Sequence, residues 1–208
     1  MSIKKILNEL ASEKAPGPRP FFTVLDIIRL FKFLATHGET GRGKISKSLG
    51  LGEGTTRTLL NRLTEANLIV KSRSGCSLTS KGRELWKRIE RVIPKIVEIE
   101  ENELTFTPFN IAVLIKGCAE KVGSGMEQRD VAVAAGAKGA VILLFKNNKL
   151  VIPSVSANVE KDYPIAFRKI VRLMNPEEND VIIISGADTL RKAEYGAIAS
   201  AWSLINCS

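Results

Sequence analysis

Residues 50–82 read GLGEGTTRTLLNRLTEANLIVKSRSGCSLTSKG. Three features follow one another in an order few folds accommodate: a glycine turn, a short helix with a small, polar start, and a hairpin with a basic tip. The helix spans Glu53 to about Ala66, where Thr56, Leu59, Leu60 and Leu63 recur at helical spacing as an inner face. Gly54, Thr55, Arg57, Thr58 and Asn61 fall on the other side. A helix buried all round would avoid such residues, so its start is expected to touch something outside the chain. Leu68–Lys71 and Cys76–Leu78 read as two strands, with Ser72–Gly75 as the tight tip between them.

The residues before this stretch supply the rest of a small domain. Thr23 and Asp26 have capping-box spacing, Val24, Ile27, Ile28, Phe31 and Leu34 follow a helical period, and Gly38 stops the helix. A second short helix fits Arg42–Leu49, with Ile45 and Leu49 facing inward. Two short helices joined by a glycine turn follow helix-turn-helix logic, and the hairpin adds a wing. Arginine can reach guanine edges, asparagine adenine, and threonine a thymine methyl or a phosphate. The candidate DNA contacts on the third helix are therefore Gly54, Thr55, Arg57, Thr58, Asn61 and Arg62. Arg42, Lys44, Lys47, Lys71 and Arg73 are the candidate contacts from the second helix and the wing, where phosphate is the expected target.

The string Leu78-Thr79…Gly82, with RLTEANLI before the wing, resembles the winged helix-turn-helix regulators of bacteria and archaea over about residues 21–92. One departure is Gly52 at the N-cap of the third helix, where serine is usual; glycine caps less well by a few tenths of a kcal/mol.

Charge is partitioned along the chain. Residues 1–100 carry 19 Lys and Arg against 10 Asp and Glu, and residues 101–208 carry 12 against 12. The whole formal excess of +9 thus lies in the first half, as expected of a nucleic-acid reader joined to a neutral partner domain. Cys76, Cys118 and Cys207 are widely spaced and His37 is the single histidine, so no zinc-ligand spacing exists. Unpaired cysteines without a framework fit a reducing, cytoplasmic setting. Residues 2–13 read as an amphipathic helix rather than a signal peptide, followed by the breaker APGPRP, Ala15–Pro20. The most apolar stretch, Val131–Phe145, is too short to cross a bilayer.

The second half is expected to begin after EIEENELTFTP, Glu98–Pro108, giving domains of residues 1–100 and 104–208. Its pattern is a strand from Phe109, a helix over Met126–Ala137 with Val131, Ala134 and Ala135 inside, and two strands around Asn147-Asn148. A helix follows with Phe167, Ile170, Val171 and Met174 as its stripe, then the strand DVIIISGAD and a last helix capped by Asp188. The order βαββαβ(α) suggests a ferredoxin-like domain, so the expected fold class is α+β. The alanines and Gly196 of the last helix suit a close approach, to a sheet or to a second copy.

Across both halves, GEGTTRTLL, SGMEQRDVAVAAGAKGA and AEYGAIASAWSLI resemble an archaeal family with a winged helix and a C-terminal domain of unknown function, DUF4443. The resemblance implies an archaeal transcriptional regulator and supplies no ligand and no site residues. GSGMEQRD is the densest polar cluster of the second half. Gly123, Ser124, Gly125, Glu127, Arg129 and Asp130 are the candidate ligand-binding residues, suited to a small anionic effector. A capping box of Ser124 and Glu127 is the competing structural explanation.

No nucleophile–base pair, P-loop or dinucleotide fingerprint is present, so neither catalysis nor a cofactor is expected. The function so read is that of a DNA-binding transcriptional regulator: a homodimer on double-stranded DNA, with no membrane association. A non-catalytic assembly protein and an RNA-binding protein are the alternatives.

Overall fold

The computed structural model describes residues 2–12 and 21–205. The breaker Ala15–Pro20 and Cys207 lie outside the described residues. The chain divides into two compact units, one running to Ile89 and the other beginning at Glu90.

The first unit contains α1 (Ile3–Ala11), α2 (Val24–His37), α3 (Arg42–Leu49), α4 (Glu53–Glu65), β1 (Ile69–Lys71), β2 (Cys76–Leu78) and most of α5 (Ser80–Val92). The capping box of α2 forms: the Asp26 carboxylate accepts from the Thr23 backbone N–H at 2.9 Å. Gly38 ends that helix at φ +67°. Ile45, Leu49, Leu59, Leu60 and Leu63 are all buried, as their spacing requires. The amphipathic first helix is shorter than expected, and its Leu7 is wholly buried within the unit.

The Leu78-Thr79…Gly82 string has a steric explanation. The Thr79 hydroxyl accepts from the Gly82 N–H at 3.0 Å and donates to the Asn67 carbonyl at 2.7 Å. A Cβ on Gly82 would stand 2.0 Å from the Leu68 carbonyl oxygen. The start of α5 therefore seats directly on the chain entering β1, and glycine is what makes room.

The second unit contains β3 (Lys95–Glu98), β4 (Phe109–Ile115), α6 (Met126–Ala134), β5 (Gly139–Lys146), β6 (Lys149–Val151), α7 (Val159–Asp162), α8 (Pro164–Met174), β7 (Val181–Ala187) and α9 (Leu190–Leu204). β3 pairs antiparallel with β4, Lys95 opposite Leu114. This pairing draws the boundary back from residues 100–104 to Ile89/Glu90. The strand was not anticipated, because its four residues carry a charge at each end.

The element order βαββαβα is present, but the sheet order is β3-β4-β7-β5-β6. A ferredoxin-like sheet would place β6 between β4 and β5; here β7 holds that place and β6 is an edge. Burial gives the reason. Every residue of Val181–Ala187 is buried, so this strand needs a neighbour on each side and cover on both faces. β6 has three residues and an exposed Lys149, the chemistry of an edge strand.

One face of the sheet presents Ala112, Leu114, Leu143, Ile182 and Ile184 to Ala166, Ile170 and Met174 of α8. The other face lies under α6 and α9. A Cβ on Gly196 would fall 2.5 Å from Ser185 Oγ and 2.7 Å from Ala137 Cβ. The small residues of α9 thus serve close packing on the unit's own sheet.

Several local expectations change. α6 ends at Ala134 and buries Gln128 and Ala132, four residues apart, whereas Val131 and Ala135 are half-buried and Ala134 is exposed. The α9 cap is Thr189, whose hydroxyl accepts from Lys192 N–H at 3.3 Å. Asp188 instead pairs with Lys138 at 2.6 Å. The Asn147-Asn148 turn forms as read, both residues at positive φ (54° and 57°), and Glu178 accepts from both backbone N–H groups. No described helix is long and apolar enough to cross a membrane.

Candidate nucleic-acid interface

α4 starts at Gly52, which is extended and makes no side-chain cap bond. The Thr56 and Thr58 hydroxyls turn back to donate to the Gly52 and Gly54 carbonyls at 3.0 and 3.1 Å. The outer side of the helix carries Gly54, Arg57, Thr58 and Asn61, all exposed, with Thr55 half-buried.

The wing is held on two sides. Cys76 and Thr40 exchange backbone hydrogen bonds at 2.9 and 3.0 Å, which ties β2 to the loop before α3. Gly75 is needed there, since a Cβ would meet the Thr40 carbonyl carbon at 2.5 Å. At the tip the Ser72 hydroxyl accepts from the Ser74 and Gly75 N–H groups at 3.0 and 3.1 Å and bonds to the Glu39 carboxylate.

Between α4, the start of α3 and the wing lies a groove of about 560 Å³. Arg42, Arg57, Lys71 and Arg73 line it, and the described lining includes no acidic residue. Cys76 sits at its floor, where burial pushes the thiol pKa up, outweighing the nearby Lys71 and Arg42; the group stays protonated at neutral pH. The thiol there is a small apolar filler rather than a nucleophile.

Five candidate contacts thus meet in one groove: Arg42, Arg57, Asn61, Lys71 and Arg73. Lys44 and Lys47 are exposed on α3 outside it, as are Gly54 and Thr58 on α4. Two candidates need correction. Arg62 donates to the Leu10 and Ser12 carbonyls and lies 5.3 Å over the Phe22 ring, so it fastens the end of α1. Five residues beyond Arg57, it points about 140° round the helix from the groove. Lys71, read as a phosphate contact, donates from Nζ to Asn61 Oδ1. Because an ammonium only donates, this bond fixes which end of the Asn61 amide is oxygen. The wing therefore sets the orientation of a helix side chain. The groove also uses Gly41, Gly43, Ser72 and Ser74, which sequence reasoning passed over; the signal was the glycine–arginine–glycine run before Lys44.

In the second unit the polar cluster at 123–130 is split. Ser124, Gly125 and Arg129 border a cleft of about 380 Å³, whereas Gly123, Glu127 and Asp130 are exposed and outside its lining. The capping box does not form. Gly125 is itself the N-cap, at φ +81°, and Ser124 Oγ accepts only from Met126 N–H at 3.4 Å. The remaining walls, from Leu104, Val141, Ile152 and Tyr163 among others, are mainly apolar and come from distant segments. Among the described residues no group of three His, Cys, Asp or Glu is placed to hold a metal ion.

A helix-turn-helix closed by a basic two-stranded wing, followed by an antiparallel α+β unit, defines a two-domain winged-helix protein. Residues 23–84 match the family described as PH0730-like, N-terminal domain, and residues 106–204 match the domain of unknown function DUF4443. The hypothetical protein PH0730 from Pyrococcus horikoshii OT3 is 32% identical, with a TM-score of 0.72 over 88% of this chain and 92% of its own. The chain belongs to this archaeal PH0730-like family of winged-helix proteins with a DUF4443 C-terminal part. A MarR family protein from Bacillus stearothermophilus is 20% identical over 43% of this chain and 62% of its own; at a TM-score of 0.31 the likeness is too slight to bear on function. No curated protein matches the chain.

Proposed function

We propose that this protein is a sequence-specific transcriptional regulator that reads double-stranded DNA with α4 and the wing. In this reading it acts as a homodimer whose second unit takes a small effector. The observation that carries the DNA reading is a pair of helical glycines. Gly43 and Gly54 have ordinary backbone angles, and a Cβ on either would meet nothing within 4 Å. Each is the second residue of its helix, where glycine still costs stability, though less than the roughly 1 kcal/mol it costs relative to alanine in a helix interior. The fold itself gives no return for that cost; Gly43 lines the groove, and Gly54 stands three residues before Arg57 on the exposed side of α4. Small residues there let a large anionic surface approach the backbone.

Selection of bound DNA from a random pool tests the reading, with one preferred site as the expected result. On that site Arg57→Ala is expected to lose about 1–3 kcal/mol and relax one base position. Gly54→Ala should weaken binding while leaving thermal stability equal or higher, because its methyl meets only the partner. Lys71→Ala should change preference at the same base position as Asn61→Ala, since the lysine orients the amide. Arg73→Ala should weaken all sequences alike. A pool that returns no preferred sequence, or returns RNA as readily, would favour an RNA-binding or assembly role.

The dimer is proposed to join through residues 104–208, whose 12 Lys and Arg against 10 Asp and Glu leave only a small net charge to repel a second copy. Sedimentation of the full chain at tens of micromolar should give twice the 22.8 kDa chain mass. A single species of one chain mass would count against it.

A further inference from the structure

The brevity of β6 has a structural consequence. β6 pairs with β5 only at Leu144, Phe145 and Lys146, so Ala140–Leu143 have no strand on their outer side. The 380 Å³ cleft opens along that uncovered edge, with Ala140, Val141 and Ile142 in its wall. The first turn of α6 closes one side and the turn Ile152–Val155 the other. Both lips carry a left-handed residue, Gly125 at φ +81° and Ser154 at φ +62°. A Cβ on Gly125 would stand 3.2 Å from Ile142 Cβ, so that lip rests directly on β5.

The chemistry of the walls is lopsided. Apart from the hydroxyls of Ser124, Ser154 and Tyr163, the described lining side chains are apolar, and Arg129 is the one charged residue among them. Its nearest acid, Asp130, is 3.8 Å away with its side chain 70% exposed, a pair held weakly in water.

We infer that this cleft binds a small amphipathic carboxylate, its apolar body along the β5 edge and its carboxylate on Arg129. The inference rests on the second unit being the effector-taking half, and it replaces a simple polar anion by one with a hydrophobic body. A guanidinium matches a carboxylate with two parallel donors. The cleft lies at the small end of ligand-site volumes and is too small for a partner helix about 10 Å across. Inorganic phosphate would leave most of its oxygens facing apolar wall, unsatisfied.

Calorimetric titration of the full chain, without DNA, tests this with octanoate, octan-1-ol, octylamine and inorganic phosphate. Octanoate is expected to bind one per chain, octanol more weakly, and octylamine and phosphate not measurably. Arg129→Gln should weaken octanoate by about ten-fold or more and leave octanol unchanged. Met126→Glu, an acid placed on the exposed lip, should weaken octanoate at least as much and octanol less, since it removes part of the apolar wall as well as adding a charge. Both substitutions sit at exposed positions and leave the fold in place. Octanoate affinity unmoved by both variants, octanol bound as tightly as octanoate, phosphate bound more tightly, or no octanoate binding at all would each overturn the inference. Because binding is read without DNA, a failure here is distinct from a failure of the DNA reading. A second titration with the selected DNA then shows whether octanoate shifts DNA affinity.

Discussion

Gly82→Ala is expected to destabilise the winged-helix unit by about 3 kcal/mol. The sign runs against ordinary helix propensity, by which alanine in place of a helical glycine gains up to about 1 kcal/mol. Here the new methyl carbon would stand 2.0 Å from a backbone oxygen, Leu68 O, with Leu78 Cδ2 3.4 Å away. A flexible side chain could swing aside, but a carbonyl that enters a paired strand cannot. Relief requires α5 to lift from the β1–β2 hairpin, breaking the bonds of Thr79 to Asn67 and Gly82. Trp86, on the next turn of α5, reports the change once Trp202 is replaced by Phe. Urea unfolding followed by its fluorescence should show the midpoint drop in Gly82→Ala and hold or rise in Gly54→Ala. Equal stability of Gly82→Ala and the parent would disprove the close seating of α5.

Affinity for the selected DNA is expected to fall about 10⁴-fold between about 50 and 200 mM salt. Arg42, Lys44, Lys47 and Arg73 are exposed and are assigned to phosphate, leaving Arg57 for base reading and Lys71 to orient Asn61. Four contacts from each of two copies release roughly eight counterions, a log–log slope near −7. One bound copy would give a slope near −3.6 and a fall of about 10²-fold. The slope therefore tests phosphate contact and copy number together. Removing Arg73 should lower it by about 1 for each copy bound. A slope near zero would sink the DNA reading, and a slope near −3.6 would remove the dimer while keeping the DNA.

The winged-helix unit was largely legible because its information is local. A 3.6-residue period places Leu59, Leu60 and Leu63 inward and, by the same arithmetic, Arg57 and Asn61 outward. The caps at Thr23 and Gly38 and the tip at Ser72–Gly75 depend on residues within a few positions of one another. Arg62 broke the pattern because its partners, Leu10 and Ser12, lie fifty residues away in sequence. Nothing in its own neighbourhood distinguishes it from an outward-facing arginine. The Lys71–Asn61 bond was hidden for the same reason: it joins two elements whose separate roles looked independent.

For the second unit, the order of elements and the Asn147-Asn148 turn could be read from residue type alone, since turns and periods are short-range properties. The order of strands in the sheet could not, because pairing joins segments far apart, such as Ile111 with Ser185 and Val141 with Ile184. The tertiary structure decided that β7 occupies the centre, because only there can a strand apolar on both faces be covered on both. The same choice pushed the short β6 to the rim, left half of β5 uncovered, and opened the apolar cleft beside Arg129. The sequence by itself determined a basic winged-helix half, a second half without net charge, and the faces of the helices. Which groups share a groove, and that the second unit's cleft is apolar rather than polar, were decided by contacts between residues that no local pattern connects.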